Sequence, residues 1–287
     1  MDNEKALVKT TGTQMELTFA SNIIALTSKL LSRPFDAQKW WDSLDNEWKK
    51  VLLMNDAELQ NQQKASLTSF RRPFRVKYSG HKASDTGTPQ ISAEQLVRIT
   101  NLECLFFERW TPINTLEPIR NFANLERLFF NGTSITSLEP IRNLTTLKKL
   151  SCHENFINSL EPISCLTNLE VLWFDKTAVN SLEPIINLKN LEELWCSETT
   201  ISSLEPIRNL ANLKKLWCYK TAVNDLEPIR NLINLEELWC FKTTINSLDP
   251  IMNLPYLIDL NIKETNISRS EIEKFKRLHA ECKIQCE

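Results

Sequence analysis

The tetrapeptide Leu-Glu-Pro-Ile recurs at Leu116, Leu138, Leu160, Leu182, Leu204 and Leu226, with a Leu-Asp-Pro-Ile variant at Leu248, and every step is 22 residues. A fixed period of that length marks a chain of stacked supersecondary units, and every other reading has to fit it. Strand-like segments begin between these motifs at Leu125, Leu147, Leu169, Leu191, Leu213, Leu235 and Leu257. An earlier copy starts at Leu102, displaced by one residue because the stretch Glu108 to Pro112 is longer than its counterparts. About eight strands are therefore expected. Within L-x-x-L-x-C, alternation turns Leu194 and Cys196 inward and Trp195 outward. Ile201 and its equivalents lead into the next layer of core, and Pro206 suits the first turn of a short helix, where its missing N–H costs nothing. One unit cannot bury its apolar edge alone. Stacked units share a continuous core, with a curved parallel sheet on one side and short helices on the other.

The full unit reads L-x-x-L-x-(C/F)-x-x-T-x-(I/V)-x-x-LEPI-x-N-(L/F)-x-N, and it resembles the 22-residue leucine-rich repeats of bacterial internalin-like proteins and of the phosphatase-1 regulatory subunit. The resemblance covers roughly residues 91–268. It implies an α/β right-handed leucine-rich-repeat solenoid that binds a protein or peptide on its concave sheet. Relatives mostly carry Asn where this chain has Thr133, Thr177, Thr199, Thr221, Thr243 and Thr265; Asn155 keeps it. Residues 269–287 are expected to close the solenoid: Ser270 and Glu273 form a capping signature, and Ile272, Phe275 and Leu278 share one face of a helix to about Ala280. Ser92 and Gln95 open a helix before the first strand in the same way. Residues 1–90 form an N-terminal, mainly helical region, with helices over Leu17–Leu31 and Ala37–Leu59. The second places Trp40, Trp41, Trp48 and Leu52 on one stripe. Residues 61–90 (Arg71, Arg72, Arg75, Lys77, His81, Lys82) read as a basic loop or hairpin. A similar Trp-Trp…Trp-Lys helix precedes the repeats in some cytosolic bacterial relatives, so the resemblance implies a member of that kind.

Chemistry is sparse. With four glycines in all, the phosphate-cradling and dinucleotide fingerprints are excluded, and no nucleophile elbow or His-Glu-x-x-His helix occurs. No enzyme and no cofactor are expected. The formal net charge of −2 gives no field that draws nucleic acid or an anionic membrane. The N-terminus lacks a secretion signal and no run of eighteen apolar residues exists, so a cytoplasmic location with reduced thiols is expected. Cys152, Cys196, Cys218 and Cys240 take the inward position that Phe130, Phe174 and Ile262 fill in sister repeats, as small core hydrophobes. Cys104 faces the concave side beside Arg127. His279, Cys282 and Cys286 have ligand-like chemistry but lack a fourth ligand, and no metal is expected. Ser151, His153 and Asp175 can be imagined as a triad, yet an open sheet offers no oxyanion hole, and a polar patch is the better reading.

The informative feature is the outward row Phe106, Phe129, Ser151, Trp173, Trp195, Trp217, Trp239 and Asn261. The next row adds His153, Asp175, Ser197, Tyr219 and Phe241. Flanking rows carry both signs: Arg127, Lys149, Glu193, Lys215, Glu237 and Asp259 on one side, and Glu154, Lys176, Glu198, Lys220 and Lys242 on the other. A Trp-rich centre with a charged rim has the anatomy of a protein-binding hot spot. The expected partner-binding residues are Trp173, Trp195, Trp217, Trp239, Phe129, Phe106, Tyr219, Phe241, Lys215, Glu193 and Glu237. The alternative is a regulatory or sensing subunit whose N-terminal region makes the key contact. Single-stranded nucleic acid or a glycan ranks lower, because the former needs a uniformly positive groove.

Overall fold

The computed structural model describes residues 35–64, with side chains to 57, and residues 91–286. The expected helix over Leu17–Leu31 and the basic stretch 65–90 lie outside them. The chain separates into two units, Met1–Trp40 and Trp41–Glu287, and the repeats belong wholly to the second. Nine three-residue strands form one parallel sheet in sequence order. They are β1 (Cys104–Phe106), β2 (Arg127–Phe129), β3 (Lys149–Ser151), β4 (Val171–Trp173), β5 (Glu193–Trp195), β6 (Lys215–Trp217), β7 (Glu237–Trp239), β8 (Asp259–Asn261) and β9 (Lys283–Gln285). This is a leucine-rich-repeat solenoid with a helical N-terminal region.

The 22-residue step fixes the register, so each residue pairs with its own repeat equivalent: Leu194 with Leu216, Trp195 with Trp217. Leu194, Cys196, Ile201, Leu204, Ile207, Leu210 and Leu213 are all fully buried, which makes the core one continuous column of Leu and Ile. The crossovers between β1 and β8 carry single 3-10 turns on Glu-Pro-Ile (Asp-Pro-Ile in the last) rather than longer helices. Proline fits there because a first-turn residue needs no N–H partner.

The turn after each strand explains the Thr column. Thr177 Oγ1 donates to the Phe174 carbonyl (2.7 Å) and Thr199 Oγ1 to that of Cys196 (2.6 Å), bonds within a single repeat. Asn155 reaches further. Its Nδ2 donates to the Cys152 carbonyl (3.1 Å) and, one repeat back, to that of Phe130 (2.8 Å), while its Oδ1 accepts from Thr133 (2.7 Å). One residue per repeat also adopts a left-handed backbone: Trp110, Gly132, Glu154, Lys176, Glu198, Lys220, Lys242 and Glu264. Only one of the eight is glycine.

The first strand is covered by helices, and the last repeat is extended by a further strand. The expected helix over Ala37–Leu59 is two helices, α1 (Ala37–Ser43) and α2 (Asn46–Lys64), because the Asp45 carboxylate accepts the Trp48 N–H (2.8 Å) and starts a new helix. Trp41, Trp48 and Leu52 are buried, while Trp40 is only half-buried. The Trp48 ring meets Phe107 edge-on at 5.3 Å. Asn55 then acts as a strand substitute: its Nδ2 donates to the Phe106 carbonyl and its Oδ1 accepts the Phe106 N–H, both at 2.9 Å. The Phe106 edge groups of β1, which would otherwise template aggregation, are thereby satisfied. Helix α3 (Ala93–Thr100) carries the full capping box of Ser92 and Gln95. Arg98 fastens it to α2 through both oxygens of Asp56 (2.8 and 3.1 Å).

Helix α4 (Arg269–Leu278) is capped by Ser268, not Ser270, since Ser268 has the extended backbone that a cap requires and accepts the Glu271 N–H. It stops at His279, short of Ala280. The chain then adds β9 in parallel to β8, a ninth strand that carries no repeat motif.

Candidate functional site: the aromatic face of the sheet

Each ladder tryptophan is the last residue of its strand, so the strand spacing of about 4.8 Å dictates how the rings meet. Trp173 and Trp195 stack at 4.2 Å with 14° between planes, Trp195 and Trp217 at 3.9 Å and 7°, Trp217 and Trp239 at 4.2 Å and 1°. Phe129 closes the row from the other side: its centroid lies 6.5 Å from that of Trp173, tilted by 49°. These two rings belong to strands two apart and lean together over the small Ser151, which is fully buried beneath them. Tyr219 and Phe241 form a second stack at 4.3 Å beside the first. Phe106 is half-buried on β1.

The rings thus spend their faces on one another and turn edges outward. Each Trp is half-buried. The indole N–H groups of Trp173, Trp195 and Trp217 are buried without a hydrogen-bond partner among the described residues, whereas Trp239 Nε1 donates to Asp259 (3.3 Å). The flanking row supplies the reason. The residues equivalent to Asp259 for the other three are Glu193, Lys215 and Glu237. Lys215 cannot accept a hydrogen bond, and it draws both glutamates to itself, at 3.7 and 3.3 Å. On the other flank Lys220 pairs with Glu198 (3.2 Å) and Lys176 with Glu154 (3.0 Å). Opposite charges therefore pair along both flanks of the Trp ladder.

Segments 123–164 and 189–231 match the family described as leucine-rich repeats (2 copies). An internalin of Listeria monocytogenes (inlF) superposes with a TM-score of 0.61 at 22% identity, covering 68% of this chain and 59% of its own. Internalin C2 of the same organism gives 0.61 at 26% identity, covering 66% of this chain and 83% of its own. The chain is an internalin-like leucine-rich-repeat protein. A leucine-rich-repeat protein of Leptospira interrogans is similar as well, with a TM-score of 0.60 at 22% identity over 67% of this chain and 50% of the other. The internalin-like chain therefore spans between half and five-sixths of these relatives. No curated protein matches it significantly in sequence. The leucine-rich repeats support a protein–protein interaction module.

The internalin-like protein does not assemble the imagined triad. Ser151 Oγ donates to Asn131 Oδ1 (2.7 Å), and Asn131 also accepts the His153 N–H (3.2 Å). Asp175 does the same task two repeats on, accepting the Ser197 N–H at 2.8 Å. Burial raises its carboxyl to about 6 against that bond. His153 is held down at about 4, first by burial and then by Arg109 and Lys176. The four inward cysteines are fully buried and desolvation raises every one of their thiols, Cys218 to about 12, so they pack rather than react. Burial also raises half-buried Cys104 despite Arg127 beside it.

His279, Cys282 and Cys286 do not converge, because α4 ends before them. His279 stacks on Phe275 at 4.2 Å and its Nε2 lies 2.9 Å from the Met252 carbonyl. Among the described residues no group of three or more His, Cys, Asp or Glu is placed to hold a metal, and no helix is long and apolar enough to cross a membrane.

Proposed function

We propose that this protein is a non-catalytic module that binds a partner protein across the ladder face of its sheet. The observation that carries the reading is the unbroken stack of aromatic edges from Phe129 to Trp239. Such a strip offers a flat apolar seam to a folded surface. The self-paired charges beside it reject a partner only weakly by sign, as at an interface rim. Trp173, Trp195, Trp217 and Trp239 are its centre; Phe106, Phe129, Tyr219 and Phe241 extend it, and Glu193, Lys215 and Glu237 border it. In this reading residues 91–268 carry the face and residues 269–287 close it. Helix α2 supplies an N-terminal cap through Asn55 and Trp48.

The stacking also weighs against a nucleic acid or glycan ligand, since bases and sugar rings need free ring faces. All eight cysteines are free thiols, which supports a reducing compartment such as the cytoplasm. The test is affinity purification from the native cell with wild type beside Trp195→Ala/Trp217→Ala, once both are shown to fold. One protein recovered with the wild type and lost with the variant supports the ladder. Identical recoveries move the contact elsewhere, residues 1–90 first.

A further inference from the structure

Sister repeats define what each loop position normally carries, and two positions break the pattern. The left-handed residue after each strand is Gly, Glu or Lys from Gly132 onward, but in the first repeat it is Trp110. The residue before each inward Ile or Val is Pro112, Ser134, Ala178, Thr200, Ala222, Thr244 or Asn266, but in the third repeat it is Phe156. Trp110 is 75% exposed and Phe156 70% exposed. Repeat duplication cannot account for either ring, and neither fills the core. Together they present roughly 300 Å² of aromatic surface.

Arg109 fills the room that a side chain at position 132 would take. Gly132 and Ser134 are the intervening residues. A Cβ on Gly132 would lie 2.8 Å from Arg109 Cγ. The Arg109 side chain crosses that glycine to pair with Glu154, and its guanidinium lies 5.3 Å from the centre of the Trp110 ring. Glu154 also takes Lys176 at 3.0 Å. One carboxylate thus serves two cations, and it is the more covered of the three: 20% exposed against 54% for Arg109 and 47% for Lys176. Glu108 in the same loop has a buried carboxylate oxygen. Solvent therefore meets two cations on the loop edge that also carries the two aromatic rings.

We propose that Trp110, Arg109, Phe156 and Lys176 form a second docking surface, on the loop edge of the first repeats, for an acidic protein segment with an apolar anchor. The composition matches interface hot spots, where Trp and Arg dominate. A carboxylate of the segment meets Arg109 and Lys176 while its apolar side chain lies between the rings. The surface is separate from the ladder and does not depend on it.

The experiment titrates the full chain with short fluorescein-labelled peptides bearing a central Phe-Leu pair flanked by glutamates, by serines or by lysines. Fluorescence anisotropy is expected to show the glutamate peptide binding at least about tenfold tighter than the lysine peptide, with the preference shrinking at high salt. Trp110→Gly and Phe156→Ser install the residues that sister repeat two carries, so folding is preserved. Each should weaken the glutamate peptide about tenfold, Arg109→Gln should erase the charge preference, and Trp195→Ala should leave binding unchanged. Equal binding of acidic and basic peptides overturns the proposal. So does wild-type affinity in both Trp110→Gly and Phe156→Ser, or loss of binding in Trp195→Ala alone.

Discussion

From β4 to β7 the outer row repeats one residue and the rings satisfy one another; from β1 to β3 the same row reads Phe106, Phe129, Ser151 and the aromatic run is broken. The first region is what duplication produces: identical side chains at strand spacing find stacking geometry without further adjustment. In the second region each departure needed its own local solution. Phe129 leans over Ser151, Asn131 takes the Ser151 hydroxyl, Asn155 bridges two repeats, and Arg109 crosses Gly132. In a repeat protein, then, the copied positions describe the scaffold, and the exceptions carry the specific information.

The contrast can be broken first on stability. Trp217 stacks on both sides, so Trp217→Ala should cost about 3 kcal/mol, while Phe129→Ala, with one tilted neighbour, should cost about half of that. Urea melts of the two variants decide it; equal losses would mean that the stack adds nothing beyond area.

Extending the copied region is the next test. Ser151→Trp places a ring where Phe129 and Trp173 have already closed to 6.5 Å, and it removes the bond to Asn131. Overpacking predicts a loss of about 2 kcal/mol. A gain in melting temperature would show that the gap is an accident of copying.

How much of this was legible in the sequence follows from what a period can encode. A 22-residue step fixes register, so the inward cysteines, the outward tryptophans and the charge rows all stood where spacing put them. A period says nothing of ring torsions, so the rows placed the tryptophans side by side without saying that their planes would lie within 14° of one another. Nor does it reach past the last copy. Lys283–Gln285 lacks the motif, and its pairing with β8 is set by α4 reversing the chain. Ser268 and Ser270 both offered a cap; backbone conformation chose between them.

Asp175 gives a pH handle on the boundary between the regions. Its folded pKa of about 6 lies above the ordinary 3.8, so its ionisation opposes folding as pH rises through 6. Asp175→Asn keeps the acceptor for Ser197, as Asn131 does for His153, and should stabilise the protein by roughly 1–2 kcal/mol at pH 8. The gain should fade towards pH 4, where the wild-type carboxyl is protonated. His153, depressed to about 4, costs stability as pH falls from 6.5, but equally in both proteins. Melts across pH 4–8 would show a pH-independent difference if Asp175 were not the group responsible.

The smallest expected effect is Thr199→Asn, which gives a copied repeat the bridge that Asn155 makes. A gain of about 0.5–1 kcal/mol is expected in a urea melt; no change would mean that the Asn155 bonds are replaced by water at no cost.

The most direct test separates the ladder as scaffold from the ladder as binding face. Trp217→Phe keeps a stacked ring but withdraws the indole edge from the surface. The affinity of the copurified partner for this variant, measured by calorimetry beside its melting temperature, is predicted to fall at least about tenfold while stability changes by less than about 1 kcal/mol. An unchanged affinity in a protein that still stacks would contradict the account and leave the ladder as scaffold alone.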